Sequence, residues 1–115
     1  MRNETKARIR SLGFKSYRGY LLSETWRKRR ERYFRTHQRR CWICGIERAT
    51  IHLHHANYER LGGHERDSDL VPLCSPHHRG LHTYMKRRRV PVERAHLAYK
   101  RYLSERRKTD KAKAR

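Results

Sequence analysis

The chain has 115 residues, 35% hydrophobic and 37% charged, with a formal net charge of +20 at pH 7. A chain of this size is a single modest domain with a thin apolar core, so a metal or disulfide staple is expected to supplement packing. No apolar run approaches the roughly 20 residues of a membrane span, and Met1-Arg2-Asn3-Glu4 leads into no secretory-type apolar segment; the expectation is a soluble, cytoplasmic protein, nucleoid-associated or phage-encoded in a host cell.

Residues 1–40 form a basic N-terminal arm and helix with a net charge of +11. The first 22 residues show scattered aromatics (Phe14, Tyr17, Tyr20) and weak periodicity, and define no element. Ser23 then offers an N-cap and Glu24 suits the helix dipole. Trp26, Arg30, Tyr33, Phe34 and His37 recur at helical spacing, which predicts a helix over 24–38 with Trp26, Tyr33 and Phe34 facing the core.

The next unit, residues 41–88, opens on Cys41-Trp42-Ile43-Cys44-Gly45, a tight knuckle whose Gly permits a positive backbone angle. Thr50-Ile51-His52-Leu53-His54 alternates apolar and polar and reads as a strand. Residues 56–69 form a polar loop with Gly62-Gly63, and Leu70-Val71-Pro72-Leu73 is a second short strand that Pro72 places at an edge. Ser75-Pro76 starts a helix, with Ser75 as N-cap, that carries His77, His78 and His82 and is weakened by Gly80. Residues 41–82 have a net charge of −1 yet hold all three cysteines and seven of the nine histidines.

The last unit, residues 89–115, is a basic C-terminal helix and tail. Pro91 opens the helix, and Val92, Ala95, Tyr99, Tyr102 and Leu103 form its apolar stripe. Beyond Leu103 the polar, basic composition predicts a tail that is disordered without a partner. With residues 83–115 at +10, two basic flanks surround a neutral centre, the charge pattern of a polyanion-binding surface, and nucleic acid is the expected partner.

Two metal constellations emerge. Cys41-x-x-Cys44 with Cys74-x-x-His77 pairs soft thiolates and an imidazole at the spacing of a closed, tetrahedral structural zinc site. A redox role for Cys-x-x-Cys would want a βαβ context, which is not visible around Cys41. The second constellation is His54-His55 with His78-x-x-x-His82. Residues four apart on a helix share a face, so His78 and His82 can grip one ion, while His77, about 100° away from His78, serves zinc. Neighbours on a strand diverge, so His54 and His55 divide the work of ligand and base rather than share one ion. His37, His52, His64 and His96 read as surface or packing residues.

The stretch Cys-x-x-Cys…His-His-x-x-Tyr…Gly-Gly…Asp-Leu-Val-Pro-Leu-Cys-x-x-His-His-x-x-x-His, from Cys41 to His82, resembles an HNH (ββα-metal, His-Me finger) endonuclease domain with its zinc knuckles. The resemblance implies an α+β fold: a small ββα-metal core with zinc knuckles, flanked by basic N- and C-terminal helices. It places His55 on the family's general base and His54 on the preceding metal-binding position. His78 falls on the last motif histidine, a metal ligand or phosphate contact, and His82 on the extra helical histidine of colicin-type domains. Asp69 stands where the family's name expects Asn, a residue that braces the loop orienting the base; Asp accepts the same bonds but cannot donate them, or could ligate the metal. The implied activity is DNA phosphodiester hydrolysis with one divalent ion (Mg²⁺, Mn²⁺, Ni²⁺ or Zn²⁺) held by His54, His78 and His82, alongside the structural Zn²⁺, leaving 5′-phosphate and 3′-hydroxyl ends. Arg79 is a candidate phosphate clamp, with Arg27, Arg30, Lys86 and Arg87 as further backbone contacts.

A zinc-stabilised DNA-binding module that cuts nothing explains the charge and the zinc ligands equally well, and a degenerate HNH domain lies between the two. A ribosome-associated zinc protein fits the basic tails. Phage packaging, mobile-element and restriction settings all suit a compact domain of this kind.

Overall fold

Residues 1–113 are described by the computed structural model; Ala114 and Arg115, the end of the basic tail, lie outside the described residues. The elements run α1 (Asn3–Ser11), α2 (Tyr17–Leu21), α3 (Glu24–Thr36), β1 (Ile51–His55), a 3-10 turn at Asp67–Asp69, β2 (Leu70–Cys74), α4 (Ser75–Arg88) and α5 (Val92–Lys113). The architecture is α+β, with helices around a two-stranded antiparallel sheet. No helix among the described residues is long and apolar enough to cross a membrane.

The sheet sets the layout. Its register pairs Ile51 with Cys74, His52 with Leu73, Leu53 with Pro72, His54 with Val71 and His55 with Leu70. Opposed residues share a face, so His52, His54, Val71 and Leu73 line one side and Leu53, His55, Leu70 and Pro72 the other. Two half-cores follow largely from this alternation, with Ile51 and Cys74 at the end of the sheet joining the first. One gathers Val71, Leu73, Leu81, Ala95 and Tyr99 under α4 and α5, with Cys41 and Cys74 at its margin. The other gathers Leu53 and Leu70 with Ile9, Tyr20, Trp26, Tyr33 and Leu61 under the N-terminal helices and the 56–69 loop.

The helix expected over 24–38 is α3, capped by the Ser23 hydroxyl, which accepts from Trp26 N at 3.2 Å. Trp26 and Tyr33 are buried and Phe34 is half-buried. Three expectations are corrected. The first 22 residues are an ordered pair of helices, because Ile9 and Tyr20 bury completely and Ser16 caps α2 by accepting from Gly19 N. The cap of α4 is Cys74 rather than Ser75: β2 runs straight into the helix, and Pro76 sits in the first turn, where its missing N–H has no partner to lose. Beyond Leu103, α5 continues as helix to Lys113, where Lys, Arg, Glu and Ala are good helix formers although this stretch is exposed throughout.

Gly80 also has a positive role. A Cβ there would run into the Tyr99 hydroxyl, so the glycine lets α5 lie close against α4.

Candidate metal centres

The knuckle is built by backbone bonds before any metal is considered. Cys41 N donates to Ile46 O (3.0 Å) and Gly45 N to Cys41 O (2.9 Å), with Gly45 at φ +75° as its sequence position requires. Trp42 N donates to Pro72 O (2.8 Å), which ties the knuckle to β2. Lys100 of α5 lies 4.0 Å over the Trp42 ring and clamps it from outside.

The result brings Cys41, Cys44, Cys74 and His77 together, with one ligand atom from each lying within 4.8 Å of the others. His77 Nδ1 is 3.3 Å from Cys74 Sγ and 3.7 Å from Cys41 Sγ, and the sulfurs of Cys44 and Cys74 are 3.9 Å apart. Zinc bonds of about 2.3 Å to sulfur and 2.0 Å to nitrogen at tetrahedral angles require separations of about 3.5–3.8 Å. The Cys3His group therefore has the size and donor chemistry to hold a zinc ion. Burial opposes ionisation of Cys41, but bonds from the backbone N–H groups of Cys44, Cys74 and Ile43 and from His77 outweigh it and bring the thiol down to about 6.

The second group, His54, His78 and His82, likewise places three ring nitrogens within 4.8 Å. His54 comes from β1 and the other two from α4, one turn apart. Nε2 of His78 and Nε2 of His82 are 3.0 Å apart, close to the spacing of two nitrogens on one ion. His54 Nε2 is buried with no hydrogen-bond partner. Buried polar nitrogens normally have a partner, and an ion in this group could supply one to His54. The group is buried at His54, half-buried at His78 and open to solvent at His82. Burial first, then the neighbouring His78 and His82, pushes His54 down to about 3; burial and His82 push His78 down to about 4. Both are neutral at pH 7, with lone pairs to offer.

His55 is not part of this group. It leaves β1 on the opposite face from His54 and is only 1% exposed, packed on Trp26 with ring centroids 4.6 Å apart. Both ring nitrogens are engaged: Nε2 lies 2.8 Å from Glu65 Oε2 and Nδ1 2.8 Å from the Tyr17 hydroxyl. A carboxylate only accepts, so His55 Nε2 carries a proton; in the neutral ring Nδ1 then accepts from Tyr17. The Tyr20 hydroxyl also donates to Glu65 Oε2 (2.7 Å), and Gly63 N to Oε1 (2.8 Å). Burial disfavours the charged Glu65, but the bonds from His55 and Tyr20 outweigh it and hold the carboxyl below its usual range.

Asp69 lies outside both metal groups and braces the loop. Its carboxylate accepts from Arg60 Nε (2.7 Å) and Nη2 (2.6 Å), from Asn57 Nδ2 (3.0 Å) and from Arg66 N (2.9 Å), while its carbonyl accepts from Ala56 N (2.8 Å). The alternative that Asp69 ligates the ion is therefore replaced by a bracing role.

Of the expected phosphate contacts, Arg79, Arg30, Lys86 and Arg87 are exposed and enter no ion pair among the described residues. Arg27 is committed to Glu24 and Glu31 on its own helix. Arg79, His82 and Lys86, spaced three and four apart, share one exposed side of α4.

Four participating residues escaped the sequence reading. His52 touches His78, and its two-residue spacing from His54 already placed both on one strand face. Tyr17 and Glu65 lay in segments read as an arm and a polar loop, and Arg29 in the helix over 24–38 had no role assigned. Arg29 is 2% exposed, and its Nε donates to Glu65 O (2.8 Å) and its Nη2 to Asp67 Oδ1 (2.6 Å), pinning the loop to α3. No family model, curated protein or solved structure matches this chain.

Proposed function

We propose that the chain is a metal-dependent endonuclease of the HNH type that hydrolyses DNA phosphodiester bonds. The observation that carries this reading is the His54–His78–His82 group, half open to solvent, beside a Cys3His group that already accounts for stapling, in a chain of net charge +20. A binding module needs one zinc staple; it has no use for a second, accessible three-histidine cluster with an orphaned nitrogen.

A divalent ion held by His54, His78 and His82 would polarise a phosphate oxygen and stabilise the leaving oxygen. Arg79 and Lys86, flanking His82 on α4, contact the neighbouring phosphates, with Arg30 and Arg87 as further cationic contacts. His55 serves as general base through Nδ1, the nitrogen that carries the lone pair in the neutral ring when Nε2 donates to Glu65. Tyr17 lies 2.8 Å from that nitrogen, so catalysis by this route requires a water to displace it there. Asp69 and Arg60 hold the loop that carries Glu65.

One observation favours a second reading, a zinc-stapled DNA binder that does not cut: His55 is shut away from solvent with both nitrogens occupied. A supercoiled-plasmid assay separates the two. The protein is supplied with Mg²⁺, Mn²⁺, Ni²⁺ or Zn²⁺, with and without chelator, beside His55→Ala. Metal-dependent nicking or linearisation, lost in His55→Ala, is expected. A plasmid that is shifted but uncut with every metal would establish the binder.

A further inference from the structure

We propose that His52 is a positioning residue for the three-histidine centre, accepting a hydrogen bond from His78 and so holding that ring with Nε2 turned towards the ion. The inference rests on the metal-centre reading above and deepens it by adding a residue outside the ligand set. His52 and His54 are two apart on β1 and share the face that meets α4, whose His78 and His82 share a face of their own. Two strand histidines thus meet two helix histidines, and the atoms that meet differ. His78 Nε2 faces His82 Nε2 at 3.0 Å, whereas His78 Nδ1 faces His52 Nδ1, also at 3.0 Å. The His52 and His78 rings are perpendicular, with centroids 5.1 Å apart.

The chemistry assigns the protons. A nitrogen that binds a metal presents its lone pair, so a neutral imidazole ligating through Nε2 carries its proton on Nδ1. His78 Nδ1–H then needs an acceptor, and His52 Nδ1 is at hydrogen-bond distance. His52 in turn keeps its own proton on Nε2. The bond selects one tautomer of His78, stops the ring from turning its ligating nitrogen away, and raises its basicity, as outer-shell partners of metal-bound histidines do. His52 is not a fourth ligand: it approaches the far nitrogen of His78 and lies outside the group whose ligand atoms converge.

The test is metal binding by the full chain. Protein with the Cys3His group filled by zinc is titrated with Co²⁺, whose visible absorption reports the histidine site. Wild type is expected to take up one further equivalent, and His82→Ala none. His52→Leu, which keeps volume but has no acceptor, is expected to weaken Co²⁺ binding about 10–100-fold and change the absorption band. His52→Asn, whose Oδ1 occupies the place of Nδ1, restores most of the affinity. Circular dichroism and retained zinc confirm that both variants fold. Wild type that takes up no second ion sinks the metal-centre reading itself. A second ion bound equally well by wild type and His52→Leu, or loss that Asn does not restore, overturns the role of His52 alone.

Discussion

Asp69 shows how a single residue carries the loop. Its carboxylate gathers four donors, and Arg60, helped by Asn57 and the Arg66 N–H against the cost of burial, holds it well below the usual carboxylate range. Asn at this position would restore the name-giving residue of the resemblance, but its amide nitrogen would face the Arg60 fork with no charge to offer. Asp69→Asn is therefore expected to lower stability by about 1–3 kcal/mol in urea unfolding at neutral pH. Because the folded pKa is depressed, the contribution of Asp69 is full above the unfolded value of about 3.9 and is lost as pH falls towards the folded one. The difference between variant and wild type should accordingly shrink below about pH 4; a constant difference would show that charge is not its origin. At this scale the sequence is informative where spacing alone decides. Cys41, Cys44, Cys74 and His77 declare themselves through two short-spaced pairs, and His54, His78 and His82 through strand and helix periodicity. Tyr17, Glu65 and Arg29 do not, because their tertiary partners lie 10 to 45 residues away and nothing local marks them.

Elements set which of these residues meet. β1 turns His52 and His54 towards α4, and Leu53 and His55 towards α3, so adjacent histidines end in different surroundings. β1 was legible from alternation, β2 as a short apolar segment, and the helix that follows it from the Ser-Pro start. The cap was misplaced by one residue because β2 enters α4 without an intervening turn. The N-terminal helices were not legible, since Ile9 and Tyr20 are single buried residues in a basic sequence with weak periodicity. Gly80 reads as a weak point in isolation, yet the packing of α5 depends on it. Gly80→Ala would gain about 1 kcal/mol in helix propensity. It must also displace Tyr99, which is packed against Tyr84 and Tyr102, at a cost of about 1–3 kcal/mol. A lower urea midpoint is expected; a raised midpoint would mean that Tyr99 gives way freely.

On the scale of the whole molecule, two small half-cores lie on opposite sides of a sheet of only two strands. A two-stranded sheet is marginal alone, and the Cys3His group joins the knuckle to the junction of β2 and α4. Zinc bound there would contribute directly to folding. A strong chelator is expected to abolish the cooperative thermal transition followed by circular dichroism, and re-added zinc to restore it; an unchanged transition would show that packing alone suffices. The charge is arranged around this frame, with basic segments on either side in sequence of a near-neutral centre that holds seven of the nine histidines. That pattern was readable from composition, whereas the helical continuation of the tail to Lys113 was not, because polarity alone does not distinguish an exposed helix from coil.

The proposed DNA cleavage depends on the three-histidine group, and His82 tests it most directly, since it is exposed and can be changed without opening a core. Plasmid cleavage by His82→Ala should be compared with wild type at equal zinc content, with the fold verified by circular dichroism. A loss of about 10²-fold or more in metal-dependent cleavage, with DNA binding retained, is the predicted result. Cleavage at the wild-type rate would contradict the claim and place the chemistry elsewhere.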